Sequence, residues 1–287
     1  ARHRGMGLFV LDPQGEFAKE MQITQLALDG LPMGAVLNTR VLQGFGRMAK
    51  VYNIDSLVLD RWQIFRELLL RFRFFEHIGV KSSQRQATTA EYVEEYLKEQ
   101  QEDGLKDLYR DESLHKVLEY LPNIADTIYA QKESIGRVKE ASEKAKSDSV
   151  VQNKWRQITS LFAERPGAER VDQIVETVFS PTRQSRSVVI RQSRPVVIID
   201  LSQHPDDIPH SVWEEEVKPL LIERFLEAII HKAEQAYKSN QSLNTLVVVD
   251  EAHRLAPRER VEKERWDSVK STLVDAVRTT RKYGLGW

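Results

Sequence analysis

No cysteine occurs anywhere in the 287 residues, which excludes disulfides and thiolate metal ligands. Nor is there an apolar run approaching the ~20 residues that a membrane-spanning helix requires, and the amino terminus, ARHRGMGLFVLD, lacks the long apolar region of a secretory signal. An excess of one charge is missing too, since 42 basic residues face 43 acidic ones for a net charge of -1. Without a global basic field, any attraction for nucleic acid has to come from local loops. These absences lead us to expect a soluble, cytoplasmic chain with no membrane partner. What is present is an ordinary globular balance, 41% hydrophobic and 30% charged, long enough to bury one large core or two smaller ones.

The most informative stretch is TLVVVDEAHR, Thr245 to Arg254. Its short, mostly β-branched apolar run reads as a strand buried on both faces, as in parallel sheets. Asp250 and Glu251 then sit at the carboxyl end of that strand, the edge where open α/β sheets bind ligands. Two adjacent carboxylates there suit nucleoside triphosphate hydrolysis: the first holds magnesium, usually through water, and the second polarises the attacking water. The plainer reading, a strand whose acidic end caps the next helix, stands beside it. Two more runs have the same form. GLFVLD ends in Asp12, and Pro13-Gln14-Gly15 turns the chain so that Glu16 is displayed at the same edge. PVVIIDLS ends in Asp200 and is followed by an amphipathic helix from about Val212 to Ser239, with Leu220, Leu221, Phe225 and Leu226 on its buried side. Strand, helix, strand in that order is a βαβ crossover, which argues for a parallel sheet.

Elsewhere the pattern is less specific. AVLNTRVLQ and KVYNIDSLVL, within 35–59, read as extra strands or a hairpin. Asp60 is the expected N-cap of a helix from Arg61 to about His77, closed by Gly79. Arg66, Arg71 and Arg73 lie on it as a solvated face or as phosphate contacts. From Ser83 to about Glu164 the sequence is helical and highly charged, with breaks expected at Gly104 and Pro122; KESIGRVKEASEKAKSDS reads as a long exposed helix or a mobile arm. Arg183, Arg186, Arg191 and Arg194 form a DNA-facing loop or an ordinary basic connection. Arg278 and Arg281 are three apart and share a face if helical, where their plainer role is to satisfy the helix macrodipole. Gly284 is the expected C-cap, and Leu285 to Trp287 read as the start of a further strand.

Four of these stretches, in this order, resemble the HerA/FtsK superfamily of RecA-like ATPases, and within it the bacterial and archaeal HerA-like DNA-translocating ATPases: LDPQGEF at 11–17, RPVVIIDLS at 194–202, LVVVDEAHRLAP at 246–257 and VRTTRKYGLGW at 277–287. The resemblance covers residues 1 to about 80 and 170 to 287. It implies an α/β fold, a RecA-like P-loop NTPase core with a mostly parallel sheet and a helical insertion. The domains expected are 1–80, the first part of the core; 81–170, the helical insertion; and 171–287, the second part, which carries the Walker B strand. It further implies ATP and Mg2+ as cofactors. Asp250 would lie on the magnesium, Glu251 would activate water, and Asp12 and Glu16 would lie near the nucleotide. Arg278 and Arg281 would supply charge to the γ-phosphate across a subunit boundary. The implied activity is ATP-driven translocation of double-stranded DNA by a homo-oligomer, a hexameric ring, partnered by a nuclease in DNA end processing or phage defence.

One departure from the family pattern is serious. G-x-x-x-x-G-K-[ST], the phosphate loop, does not occur in the sequence. We therefore expect the 287 residues to be a piece of a longer protein, inactive by themselves as an ATPase. The competing expectation is a non-catalytic scaffold or regulatory module that keeps the sheet and has lost nucleotide binding. The letters DEAH also suggest a superfamily 2 helicase, but that family's arginine-rich and Ser-Ala-Thr motifs do not follow, and LDPQGEF and TTRKYG have no place in it.

Overall fold

The computed structural model describes residues 5–19, 49–100, 104–179, 194–252 and 263–287. Its contacts divide the chain into a sheet unit, Ala1–Leu57 with Glu169–Asp206 and Trp213–Trp287, and a helical unit, Val58–Ala168 with Asp207–Val212. The helical unit thus begins at Val58, earlier than the boundary at 81 read from the sequence, and it takes in the aromatic-rich helix assigned there to the core.

Seven strands occur among the described residues: β1 (Gly7–Asp12), β2 (Ala49–Tyr52), β3 (Leu57–Val58), β4 (Glu169–Arg170), β5 (Val196–Asp200), β6 (Thr245–Val249) and β7 (Leu285–Gly286). The longer helices are α1 (Trp62–Arg71), α2 (Ser83–Gln100), α3 (Asp111–Ile128), α4 (Lys132–Ala145), α5 (Ser149–Thr159), α6 (Val171–Phe179), α7 (Lys218–Lys238) and α8 (Lys263–Thr280). The protein is α/β. Five strands form one sheet in the order β2-β5-β1-β6-β7, and each neighbouring pair is parallel.

β1 is central, and its alternation explains the nearly unbroken apolar run. Phe9 and Leu11 are fully buried on one face, where the Phe9 ring lies 5.8 Å from that of Phe225 on α7. Val10, on the other face, packs with Ala18, Val196 and Ile198. With both faces covered, no position in the strand can be polar until its last residue. α6 buries Val171, Ile174, Val175 and Val178 at helical spacing and is tied to α7 by a 2.6 Å bond from the buried Arg224 guanidinium to Asp172.

The helical unit is held by aromatic packing instead. Phe65 on α1 meets Trp155 and Phe162 edge-on, at 5.7 and 5.9 Å. Trp155 is buried, and its indole N–H donates to Ser113 Oγ at 3.0 Å, so the one polar atom of the ring is satisfied. No helix among the described residues is long and apolar enough to cross a membrane.

Several sequence expectations are corrected by this packing. α1 is capped by Arg61 without a side-chain bond, not by Asp60, and it stops at Arg71 because Arg73 turns left-handed (φ 52) ahead of a 3₁₀ turn, Phe74–Ile78. Gly79 closes that turn at φ 81, as expected. Pro122 lies inside α3 rather than ending it. A missing N–H removes one helical bond, but Leu118, Leu121 and Ala125 around it are all fully buried, and that burial keeps the helix continuous. KESIGRVKEASEKA is neither arm nor exposed rod: as α4 it buries Val138, Ser142 and Ala145. Arg66 lies 3.4 Å from Glu94 and Arg71 lies 3.9 Å from Glu67, so both point to ion pairing rather than phosphate contact. KVY, within KVYNIDSLVL, belongs to β2, which joins the main sheet parallel to β5 rather than forming a hairpin. AVLNTRVLQ, Arg183, Arg186 and Arg191 lie outside the described residues.

Candidate functional site

All five strands of the main sheet run the same way, so every carboxyl end reaches one edge. Parallel register sets Asp12 opposite Asp200. On the other side of β1, Leu11 is opposite Val249, and Asp250 N–H continues the ladder by donating to Leu11 O at 3.0 Å. Three strand ends with acids are therefore adjacent, in the order Asp200, Asp12, Asp250. The connectivity singles out one gap among them. The chain leaves β1 toward β2 on one side and leaves β6 toward β7 on the other. In open α/β sheets such a reversal of direction creates a crevice outside the carboxyl ends, here between Asp12 and Asp250.

Each acid is treated differently by its surroundings. Asp12 is fully buried. Its Oδ1 accepts from Gly15 N–H at 2.8 Å and Glu16 N–H at 3.1 Å, and its Oδ2 from Ala18 N–H at 2.9 Å. The carboxylate thus caps the helical residues 16–19 and fixes the turn on which Glu16 is exposed. Burial pushes the Asp12 carboxyl above the ordinary carboxylate range; the three backbone N–H groups oppose this and nearby Asp200 adds to it. Asp200 accepts from Ser202 N–H at 2.9 Å and Ser202 Oγ–H at 2.6 Å. Gly15, at φ 73, is required where these two turns meet, because a Cβ there would lie 2.9 Å from Ser202 Cβ and 3.0 Å from Asp200 Oδ1. Ser202 was not singled out by sequence reasoning, although Asp-x-Ser after a strand is a recognisable side-chain turn.

Asp250 differs from both. Its Oδ2 is buried and has no hydrogen-bond partner among the described residues. Leaving a carboxylate oxygen desolvated and unpaired is costly, and a buried orphan of this kind calls for an ion, a water or a ligand. Glu251 follows at φ 49, a left-handed conformation rare outside glycine and concentrated at functional turns. The strand therefore stops abruptly and gives two consecutive carboxylates different directions. Among the described residues no group of three or more His, Asp or Glu is placed to hold a metal ion. Magnesium is compatible with that, because it takes one or two carboxylates and fills its octahedron with water and phosphate oxygens. Asp250 fits such a role.

The two arginines are less tightly organised. α8 ends at Thr280, and Arg281 opens a 3₁₀ turn, Arg281–Tyr283, closed by Gly284 at φ 82. Arg278 and Arg281 are both exposed, but they do not share one continuous helix as the three-residue spacing suggested. The chain has to enter β7 at Leu285, and the last turn tightens to do so. His253, Arg254 and the rest of LVVVDEAHRLAP after Ala252 lie outside the described residues. Comparison of the chain with protein-family models, with curated proteins and with solved structures finds no match in any of the three.

Proposed function

We propose that this chain is the nucleotide-hydrolysing core of a HerA-type motor, a RecA-like P-loop NTPase of the HerA/FtsK superfamily that moves double-stranded DNA at the expense of ATP. The observation that carries this reading is the buried Oδ2 of Asp250, without a hydrogen-bond partner among the described residues, beside Glu251 at the reversal point of a parallel sheet. In it, Asp250 holds magnesium through water and Glu251 orients the attacking water. Glu16 lines the nucleotide, and Asp12 keeps the Glu16 turn in place. Arg278 and Arg281 lend charge to the γ-phosphate of a neighbouring subunit in a homo-oligomeric, hexameric ring. Magnesium with ATP supplies the electrophilic phosphoryl group and neutralises its developing charge. A nuclease partner acting in DNA end processing or phage defence completes the reading.

The test is ATP hydrolysis by the natural gene product, with and without double-stranded DNA. Turnover is expected to depend on magnesium and to rise with DNA. Glu251→Gln should lower kcat by about 10²- to 10⁴-fold while nucleotide still binds. Turnover that is indifferent to Glu251→Gln would exclude this role. A second reading, a scaffold on the same sheet, is favoured by two features: the sequence holds no G-x-x-x-x-G-K-[ST], and the Asp12 carboxylate is committed to backbone N–H groups. Absence of nucleotide binding by the natural gene product would select it.

A further inference from the structure

One buried charge in the sheet unit has no part in the reading above. Lys218, at the start of α7, is 5% exposed, in a class of residue almost never buried without a reason. Its ammonium donates to Pro13 O at 3.0 Å and to Glu214 Oε1 at 2.6 Å. The first of these spans 205 positions of sequence and ends in the turn that follows Asp12. That turn is therefore gripped twice. The Asp12 carboxylate collects its N–H groups at Gly15, Glu16 and Ala18, and Lys218 holds the carbonyl on its opposite side.

The segment that delivers Lys218 is unusual in itself. Trp213–Val217 is a π-turn, a widened helical turn that is frequent at functional positions. Fully buried Trp213, at its start, donates its indole N–H to Leu201 O at 3.2 Å, between Asp200 and Ser202. The π-turn and the first residue of α7 thus touch, between them, the turns after both β1 and β5, the two that meet at Gly15 and Ser202. Stability alone does not require a buried lysine paired with the partly exposed Glu214, because an apolar side chain of similar volume at the buried position often does as well or better. What the pair supplies, and an apolar pair does not, is a directed bond to the Pro13 carbonyl.

We propose that Lys218 is a positioning residue for the acidic edge: by holding Pro13 O from the start of α7, directly after the π-turn, it sets the turn that carries Asp12 and Glu16 relative to the turn that carries Asp200 and Ser202. The proposal deepens the motor reading and rests on it for the identity of the ligand, a magnesium nucleotide. Sequence reasoning missed this residue because Lys218 follows three glutamates and looks like one more solvated charge; only its i,i+4 partner Glu214 and the adjacent Pro219 hint at a built helix start.

The test compares wild type with Lys218→Met and with the double variant Lys218→Met/Glu214→Gln, in which no lone charge is left behind. Amide hydrogen exchange is followed at Gly15, Glu16 and Ala18 and, as a control, at the strand residues Phe9 and Ile198. The turn amides should exchange at least tenfold faster in both variants while the strand amides stay within about twofold. Because the sequence contains no cysteine, Lys218→Cys can be aminoethylated in denaturant and refolded, which restores an ammonium at nearly the same reach and should restore slow exchange. With ATP as substrate, kcat should fall about tenfold or more and KM stay within about threefold, as expected when reacting groups are misplaced but binding persists. Unchanged turn exchange, acceleration spread evenly over the strands, failure of aminoethylation to rescue, or an unaltered kcat would each overturn the proposal. Turnover is measured on the natural gene product; if that protein shows none at all, the motor reading is what fails, and the exchange and rescue results, obtained on the 287 residues, still decide whether Lys218 sets the turn.

Discussion

The sheet unit and the helical unit use their charged residues in opposite ways. In the sheet unit Asp12, Asp200, Lys218 and Arg224 are all at most 5% exposed; Lys218 and Arg224 tie together segments distant in sequence, while Asp12 and Asp200 gather the donors of the turns that follow them. In the helical unit the ion pairs are mostly local and solvated, such as Lys144–Glu140 with 75% and 69% of the side chains exposed, and the interior belongs to Phe65, Phe74, Phe75, Trp155 and Phe162. Glu94 differs, a buried carboxylate paired with the partly exposed Arg66 and Lys98. The contrast has a physical cause. Burying a charge is unfavourable unless a specific partner compensates it, so a row of buried acids marks a place where position matters, whereas an aromatic core needs only shape.

The comparison breaks most easily in the aromatic core. Phe65→Ala removes a fully buried ring that contacts Trp62, Trp155 and Phe162, and it should cost about 3–5 kcal/mol. Chemical denaturation followed by far-UV circular dichroism should show the helical transition moving to lower denaturant, while the exchange of β1 and β5 amides holds. Equal loss in both units would mean that the two cores are not separable.

Gly15→Ala strikes the other unit through backbone geometry. A residue with a Cβ at φ 73 is strained by roughly 1–3 kcal/mol, and the added atom would also press on Ser202 and Asp200. Thermal melting should reveal the loss, and Ser202→Gly placed on top should recover part of it. No recovery would mean that the two turns do not meet there.

A subtler separation comes from acid. Because the folded-state value of Asp12 is raised, its contribution to stability is fully present below the ordinary Asp pKa of about 3.9 and is lost as pH rises through its folded value. Asp12→Asn cannot ionise, although it gives up one acceptor for the Ala18 N–H. The stability of the variant relative to wild type should therefore improve as pH rises from about 4 through that window. Melts taken across it should show a difference that changes with pH, and a constant difference would contradict the burial of an ionising carboxyl.

The smallest effect belongs to the helical surface. Lys144→Met disrupts an exposed pair and should move the melting temperature by less than about 1 °C. A larger change would show that the surface charges of this unit are not the solvated set they resemble.

The apolar runs ending at Asp12 and Asp200 were readable as buried parallel strands because a strand covered on both faces leaves no room for polar alternation; the run ending at Asp250 is a parallel strand as well, but Leu246, Val248 and Val249 on it are only partly buried. Gly79 and Gly284 announced their turns through the left-handed backbone that glycine favours. Helix ends were harder. Asp60 looked like a cap and Pro122 like a stop, yet whether a local signal is obeyed depends on burial around it, and Leu118, Leu121 and Ala125 outweighed the proline.

What the amino-acid sequence determined alone was the α/β class, the acids at the strand ends and the candidate pair Asp250 and Glu251, since each follows from short-range periodicity and residue chemistry. The tertiary structure decided the strand order that sets Asp12 between Asp200 and Asp250, the commitment of Asp12 to a cap, the orphaned oxygen of Asp250, and the reach of Lys218 to Pro13. These depend on contacts between residues far apart in the chain, and such contacts leave no local pattern to read.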